Sequence, residues 1–222
     1  MKLLTRSNTK TRKGERHGYH TLILHLAPGN LSGYEVCGAR DECFDTCLNW
    51  SGRGVFQNIQ AARIRKTKWF FEDRESFMEQ LVADIEEGIR WGKRNRKKIV
   101  VRLNGTSDIP WETIRCGSYR NIMERFPDIT FYDYTKLTSR KKAPANYHLT
   151  FSRGSSNEPA VEKALANGMN VAAVFKSVPI TFYGRRVIDG DRHDLRFLDP
   201  KGVIVGLTPK GPARKSTSNF IL

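Results

Sequence analysis

The stretch TLILHLAPGNLSGYEVCGARDECFDTCLNW, residues 21–50, decides how this chain is read. Its first six residues, Thr21 to Leu26, are mostly apolar and rich in β-favouring side chains, which predicts a buried core strand. Pro28 and Gly29 end the run. Three of the chain's four cysteines, Cys37, Cys43 and Cys47, follow in the next loop. In parallel α/β sheets and barrels, ligands gather beyond the carboxyl ends of the strands. A cysteine-rich loop directly after the first core strand is therefore a candidate inorganic site.

Outward from that loop, residues 55–71 (VFQNIQAARIRKTKWFF) predict a helix carrying Arg63, Arg65, Lys66 and Lys68. Asp73 caps the next helix. There Phe77, Leu81, Ile85 and Ile89 recur every four residues and make one apolar face, with Gly88 and Gly92 weakening its end. Apolar runs at 99–105, 129–134, 147–152, 170–175 and 202–207 predict further strands, with shorter helical pieces at 109–114, 119–126 and 160–166. Residues 180–199 read as a hairpin insertion turning at Asp189-Gly190. Strands alternating with helices argue for parallel βαβ units. The expected fold is α/β, an incomplete (β/α)6 TIM-like barrel, with an open doubly wound sheet as its rival. Residues 1–18 form a basic amino-terminal arm, 19–212 a single barrel-like domain, and 213–222 a carboxyl-terminal tail.

The 222 residues carry a net charge of +15. Such a field attracts polyanions or anionic small molecules. No window is long and apolar enough for a membrane span, and the amino terminus lacks the apolar core of a signal peptide. The expected location is the cytoplasm, where thiols stay reduced and disulfides are rare.

The cysteines are spaced Cys37-x5-Cys43-x3-Cys47. Three thiolates on a [4Fe-4S] cluster leave one iron open for a small-molecule ligand. A structural zinc site prefers four ligands, the fourth here being Cys116, His17, His20 or His25. The other strand ends supply Arg102, Asn104, Thr106 and Asp108, then Thr135 and Lys136, then Ser152 and Arg153, and last Lys210. Several polar strand ends aimed at one cavity suit an anionic or carboxylate-bearing ligand. As an alternative, Arg63, Arg65, Lys66 and Lys68 contact nucleic-acid phosphates and the metal is structural zinc.

These features together resemble the radical S-adenosylmethionine superfamily. The resemblance implies a [4Fe-4S] cluster on Cys37, Cys43 and Cys47 whose open iron binds S-adenosylmethionine. RLNGTSD, residues 102–108, is similar to that family's strand-two motif, and GVIVG, residues 202–206, to a glycine-spaced strand motif. The family spacing is Cys-x3-Cys-x2-Cys, and the strand-two end here lacks its Gly-Gly-Glu. Over nearly the whole chain, segments such as LTRSNTKTRKGE (4–15), SGYEVCGARDECFDTCLN (32–49) and VIDGDRHDLRFLDPKGVIVGL (187–207) are similar to phage and prophage proteins related to the phage gene-product eighty-eight domain. That resemblance implies a phage protein made in the host cytoplasm.

Overall fold

The computed structural model describes residues 1–6, 9–40, 42–140 and 143–222. The described residues of the amino-terminal arm are folded. Strand β1 (Leu4–Thr5) pairs antiparallel with β2 (Tyr19–Leu24), and helix α1 (Thr9–Glu15) lies between them. Leu3 and Leu4 are buried, and their N–H groups both donate to Asp84 Oδ2, at 2.6 and 2.9 Å. These two leucines anchor an otherwise polar arm.

After β2 come the cysteine loop, helices α2 (Gln57–Glu72) and α3 (Arg74–Asn95), and strand β3 (Lys98–Arg102). Then follow α4 (Ile122–Arg125), β4 (Thr130–Thr135), β5 (Tyr147–Ser152), α5 (Glu158–Ala166), β6 (Val171–Val174), β7 (Thr181–Phe182), β8 (Arg185–Asp189) and β9 (Ile204–Leu207). Asp73 caps α3 by accepting from Ser76 N–H (3.2 Å).

One nine-stranded sheet results, in the order β1-β2-β3-β4-β5-β6-β9-β8-β7. Strands β2, β3, β4, β5, β6 and β9 run parallel and follow one another in chain order. Among these six the order never reverses, unlike a doubly wound sheet with its switch point. The sheet is not closed, since β1 and β7 stand at its two ends.

The expectation of six βα units is corrected. Among the described residues only the β2–β3, β3–β4 and β5–β6 crossovers hold α-helices, and α4 is a single turn. The β4–β5 connection has no helix among its described residues, and the β7–β8 hairpin occupies the β6–β9 crossover. That hairpin turns at Tyr183 and Gly184, both at positive φ (50° and 65°), which suits a tight two-residue turn. Asp189-Gly190 instead ends β8, which pairs parallel with β9.

Alternation along the strands separates two faces. On one, Leu22, Leu24, Val101 and Phe131 pack with Phe70, Phe77, Leu81, Ile85 and Trp111. A Cβ on Gly88 would collide with Leu22, and one on Gly92 would lie 2.6 Å from Ile99 Cγ1. These glycines let α3 approach the sheet closely; they are packing residues and not weak points. Phe151, Val171, Ala173 and Ile204 continue the layer against Val161 and Ala164 of α5. On the other face, Val100 and Tyr132 pack with Leu195, and Tyr19 and Phe197 pack beside them. The segment carrying Leu195 thus plugs the amino-terminal half of that face. The carboxyl-terminal half stays open.

Candidate functional site

The open half is a cavity of about 250 Å³. Cys37, Cys43 and Cys47 all line it, as do Arg102, Asn104, Thr106, Asp108, Thr135, Lys136, Ser152 and Lys210. A polar strand end, a cysteine loop and the last strand's turn therefore meet in one place, as the parallel strand order requires.

Arg153 is not among the lining residues, which corrects its expected role. It follows Ser152, so alternation turns it the other way. Its guanidinium bridges Glu158 (2.9 Å) and donates to Asn219 O (2.5 Å). The basic stripe of α2 is corrected too. Arg63 is buried, while Lys66 is half-buried and donates to Leu3 O (2.7 Å). Positions 63, 67 and 70 recur at helical spacing, so Arg63 shares the buried face with Thr67 and Phe70. Only Arg65 and Lys68 of the four are exposed.

Much of the cavity's polarity is already engaged. Asn104 Oδ1 accepts from Ser107 Oγ (2.9 Å), Ile109 N–H (3.0 Å) and Trp111 Nε1–H (3.0 Å), and its amide donates to Ile109 O (2.9 Å). Asn104 therefore latches its own loop. Thr106 Oγ1 donates to Leu26 O (2.6 Å), tying that loop to the end of β2. Asp108 accepts from Lys136 N–H (2.8 Å) and Arg140 (3.3 Å). Burial raises the Asp108 pKa against these donors. Arg102 donates to Asp194 (2.8 Å) and lies 3.7 Å from Asp133. Lys210 pairs with Asp191. Three of the four cations expected to bind an anion, Arg102, Arg153 and Lys210, thus carry their own carboxylates.

Sequence reasoning missed Tyr134, Leu207 and Phe220, which also line the cavity. Phe220 comes from the tail. Leu222 N–H donates to Val174 O (2.9 Å) and Lys176 N–H to Leu222 O (2.6 Å), so the tail docks beside β6. The apolar Phe220, Ile221 and Leu222 at the end of a polar segment were the available signal. Lys136 Nζ stands 5.7 Å from the Phe220 ring centroid, a cation–π distance.

The thiols sit in a protected rim. Gly29 N–H points at Cys37 Sγ (3.5 Å) and Asn49 N–H at Cys47 Sγ (3.4 Å). Backbone N–H groups on sulfur favour thiolate and tune iron–sulfur centres. Burial pushes the Cys37 thiol up to about 12 and also raises Cys47. A metal taking these sulfurs must therefore displace protons. The turn behind Cys47 is held by a polar knot. Fully buried Asn49 donates to Gln60 (3.0 Å) and accepts from Arg63, while Gln60 donates to Gly54 O (2.5 Å). Arg63 has no carboxylate partner among the described residues, and burial lowers its pKa, with the charge that Cys47 would carry working the other way. Three cysteines of one loop line the cavity and two of them have N–H groups on sulfur, which is the chemistry a cluster would use; Arg63 lies behind Cys47 and does not line the cavity. Among the described residues no three His, Cys, Asp or Glu groups converge as a single metal ion requires. A [4Fe-4S] cluster spreads its cysteines over different irons and so holds their sulfurs farther apart than a single ion does. For zinc this is a misfit.

Behind the loop, His25 is half-buried, its enclosed Nδ1 lacks a hydrogen-bond partner among the described residues, and its pKa is lowered to about 3, by burial first and then by Arg63 and Arg102. A histidine lowered from 6.5 is neutral when folded and takes a proton on unfolding. It therefore removes stability as pH falls from about 6.5 towards 3. Replacing His25 by Asn should flatten the pH dependence of urea-unfolding stability across that window. An unchanged slope would place the ring in solvent.

No curated protein and no solved structure matches the chain. No helix among the described residues is long and apolar enough to cross a membrane. A family model does match, covering residues 2–222 and so the cysteine loop, every cavity-lining strand end and the docked tail. The chain belongs to the gene product 88 family, a phage-type family.

Proposed function

We propose that the chain is an iron–sulfur protein in which Cys37, Cys43 and Cys47 ligate a [4Fe-4S] cluster at the mouth of the cavity. The observation that carries this reading is that all three cysteines of one loop line the cavity that the parallel strand ends also line. When bound, such a cluster supplies one-electron transfer and one open coordination position. Gly29 and Asn49 donate to the ligating sulfurs, and Arg63 offsets their negative charge. The segment that carries Leu195 closes the floor and excludes water from below. Tyr134, Leu207 and Phe220 form the apolar wall that holds a small ligand against the open position, with Lys136 and Ser152 as polar contacts. The scaffold reading that accompanies this is a partial barrel, ligand at the carboxyl ends of strands in chain order. S-adenosylmethionine is the first ligand to test, given the strand-two resemblance.

Anaerobically purified protein is expected to be brown. Cys43→Ala should abolish the visible absorption, whereas Cys116→Ala should keep it, because Cys116 is buried in the apolar core away from the cavity. Retained colour in Cys43→Ala, or bleaching by Cys116→Ala, contradicts the ligand assignment.

A further inference from the structure

Outside the cavity, the loop that holds Cys47 runs into an exposed segment of unusual composition. Leu48, Val55 and Phe56 are 42%, 53% and 56% exposed, and they crowd into nine residues of chain. Leu48 itself lines the cavity, so this apolar patch begins at the mouth. Arg53 lies within the segment and is exposed.

The docked tail brings more charge to the same place. A Cβ on Gly211 would stand 2.5 Å from Ser51 Cβ, so the turn at Gly211–Lys215 abuts the turns at Leu48–Trp50 and Gly52–Val55. Ala213 of that turn lines the cavity, while Arg214 and Lys215 are exposed. Arg214 makes only a long bond to Pro209 O (3.4 Å). Among the described residues, none of Arg53, Arg214 and Lys215 is paired with a carboxylate. Two cations that line the mouth differ: Arg40 bridges Glu35 (3.3 Å) and Lys210 pairs with Asp191. Glu35 and Asp45 are exposed acids on the neighbouring loop.

We infer that this rim binds single-stranded nucleic acid, with phosphates on Arg53, Arg214 and Lys215 and a base on the Phe56 face, so that the strand passes over the cavity mouth. Unpaired cations beside an exposed aromatic ring are what a strand needs, because phosphates meet the charge and every base has a face to stack. The net charge of +15 supplies the same sign of field over the whole molecule. Beyond the rim, Phe220 and Tyr134 offer aromatic walls and Lys136 a cation inside the cavity. This inference does not depend on the cluster.

The test is fluorescence anisotropy of the full chain with a labelled mixed-sequence 20-mer, as DNA and as RNA, at several salt concentrations. The single strand should bind, with affinity falling as salt rises. R53E/R214E/K215E should weaken binding more than tenfold and flatten the log–log salt slope by about 2, since each single-strand phosphate contact contributes ~0.7. Phe56→Ala should weaken it roughly tenfold, the scale of one base–aromatic stack. The control R90E/K93E/R94E changes net charge equally on the exposed side of α3 and should lose much less. Equal losses in patch and control would overturn the inference. So would tighter binding of duplex than single strand, or displacement of the oligonucleotide by polyglutamate at equal charge concentration, which would assign the patch to an acidic protein.

Discussion

Arg102→Met is expected to cost about 3–5 kcal/mol of stability, the usual cost of breaking a buried ion pair from one side. Arg102 sits at the end of β3 with its guanidinium on Asp194 (2.8 Å) and beside Asp133 (3.7 Å), all three groups buried. Burial opposes its charge, but Asp194 and its neighbours outweigh this and raise its pKa above the ordinary arginine value. Asp133 is pushed up to about 6 by burial, with Arg102 pulling the other way. Losing Arg102 strands both carboxylates in the interior. It also frees the Asp194–Leu195 segment that closes the floor of the cavity. Arg102→Met with Asp194→Asn should recover at least about 1 kcal/mol of the loss, because the two residues are coupled. Urea unfolding of the two variants and Asp194→Asn alone completes the cycle. A loss below about 1 kcal/mol for Arg102→Met would mean that the ion pair does not hold the floor.

Arg63→Gln is expected to act with opposite signs on the empty and the loaded chain. Without a cluster, Arg63 is a buried cation with no carboxylate partner among the described residues, and burial lowers its pKa. Glutamine keeps a donor for Asn49 and removes the charge, so the empty chain should unfold at the same temperature or higher. With a cluster, Arg63 faces an anionic centre through Cys47. Its loss should speed iron release to a chelator about tenfold and lower the one-electron potential by ~59 mV, the value of a tenfold change in reduction equilibrium. Arg63→Lys should restore part of both. A lower unfolding temperature for the empty Arg63→Gln chain, with unchanged iron release, would make Arg63 a purely structural residue.

The sequence displayed its periodic parts openly. Phe77, Leu81 and Ile85 point to the helix face that packs on the sheet, and the polar ends after β3, β4 and β5 point to the cavity because parallel strands share one carboxyl end. What stayed hidden depends on tertiary contacts. Two leucines, Leu3 and Leu4, tie the arm to α3 through Asp84, a partner eighty residues away. Gly88 and Gly92 read as helix breakers until Leu22 and Ile99 are seen against them. The tail's polar stretch conceals that Ile221 and Leu222 dock on β6 and carry Phe220 into the cavity. Charge was the least legible property. Helical spacing with Phe70 was the one hint that set Arg63 apart from Arg65 in solvent, and nothing local distinguishes Lys210, paired with Asp191, from Arg214.

Metal content of anaerobically purified protein tests the cysteine centre most directly. The account predicts about four irons and four acid-labile sulfides per chain, without stoichiometric zinc, in keeping with one [4Fe-4S] cluster. One zinc per chain with no sulfide, or a chain that takes up neither metal after reconstitution with iron and sulfide, would contradict it.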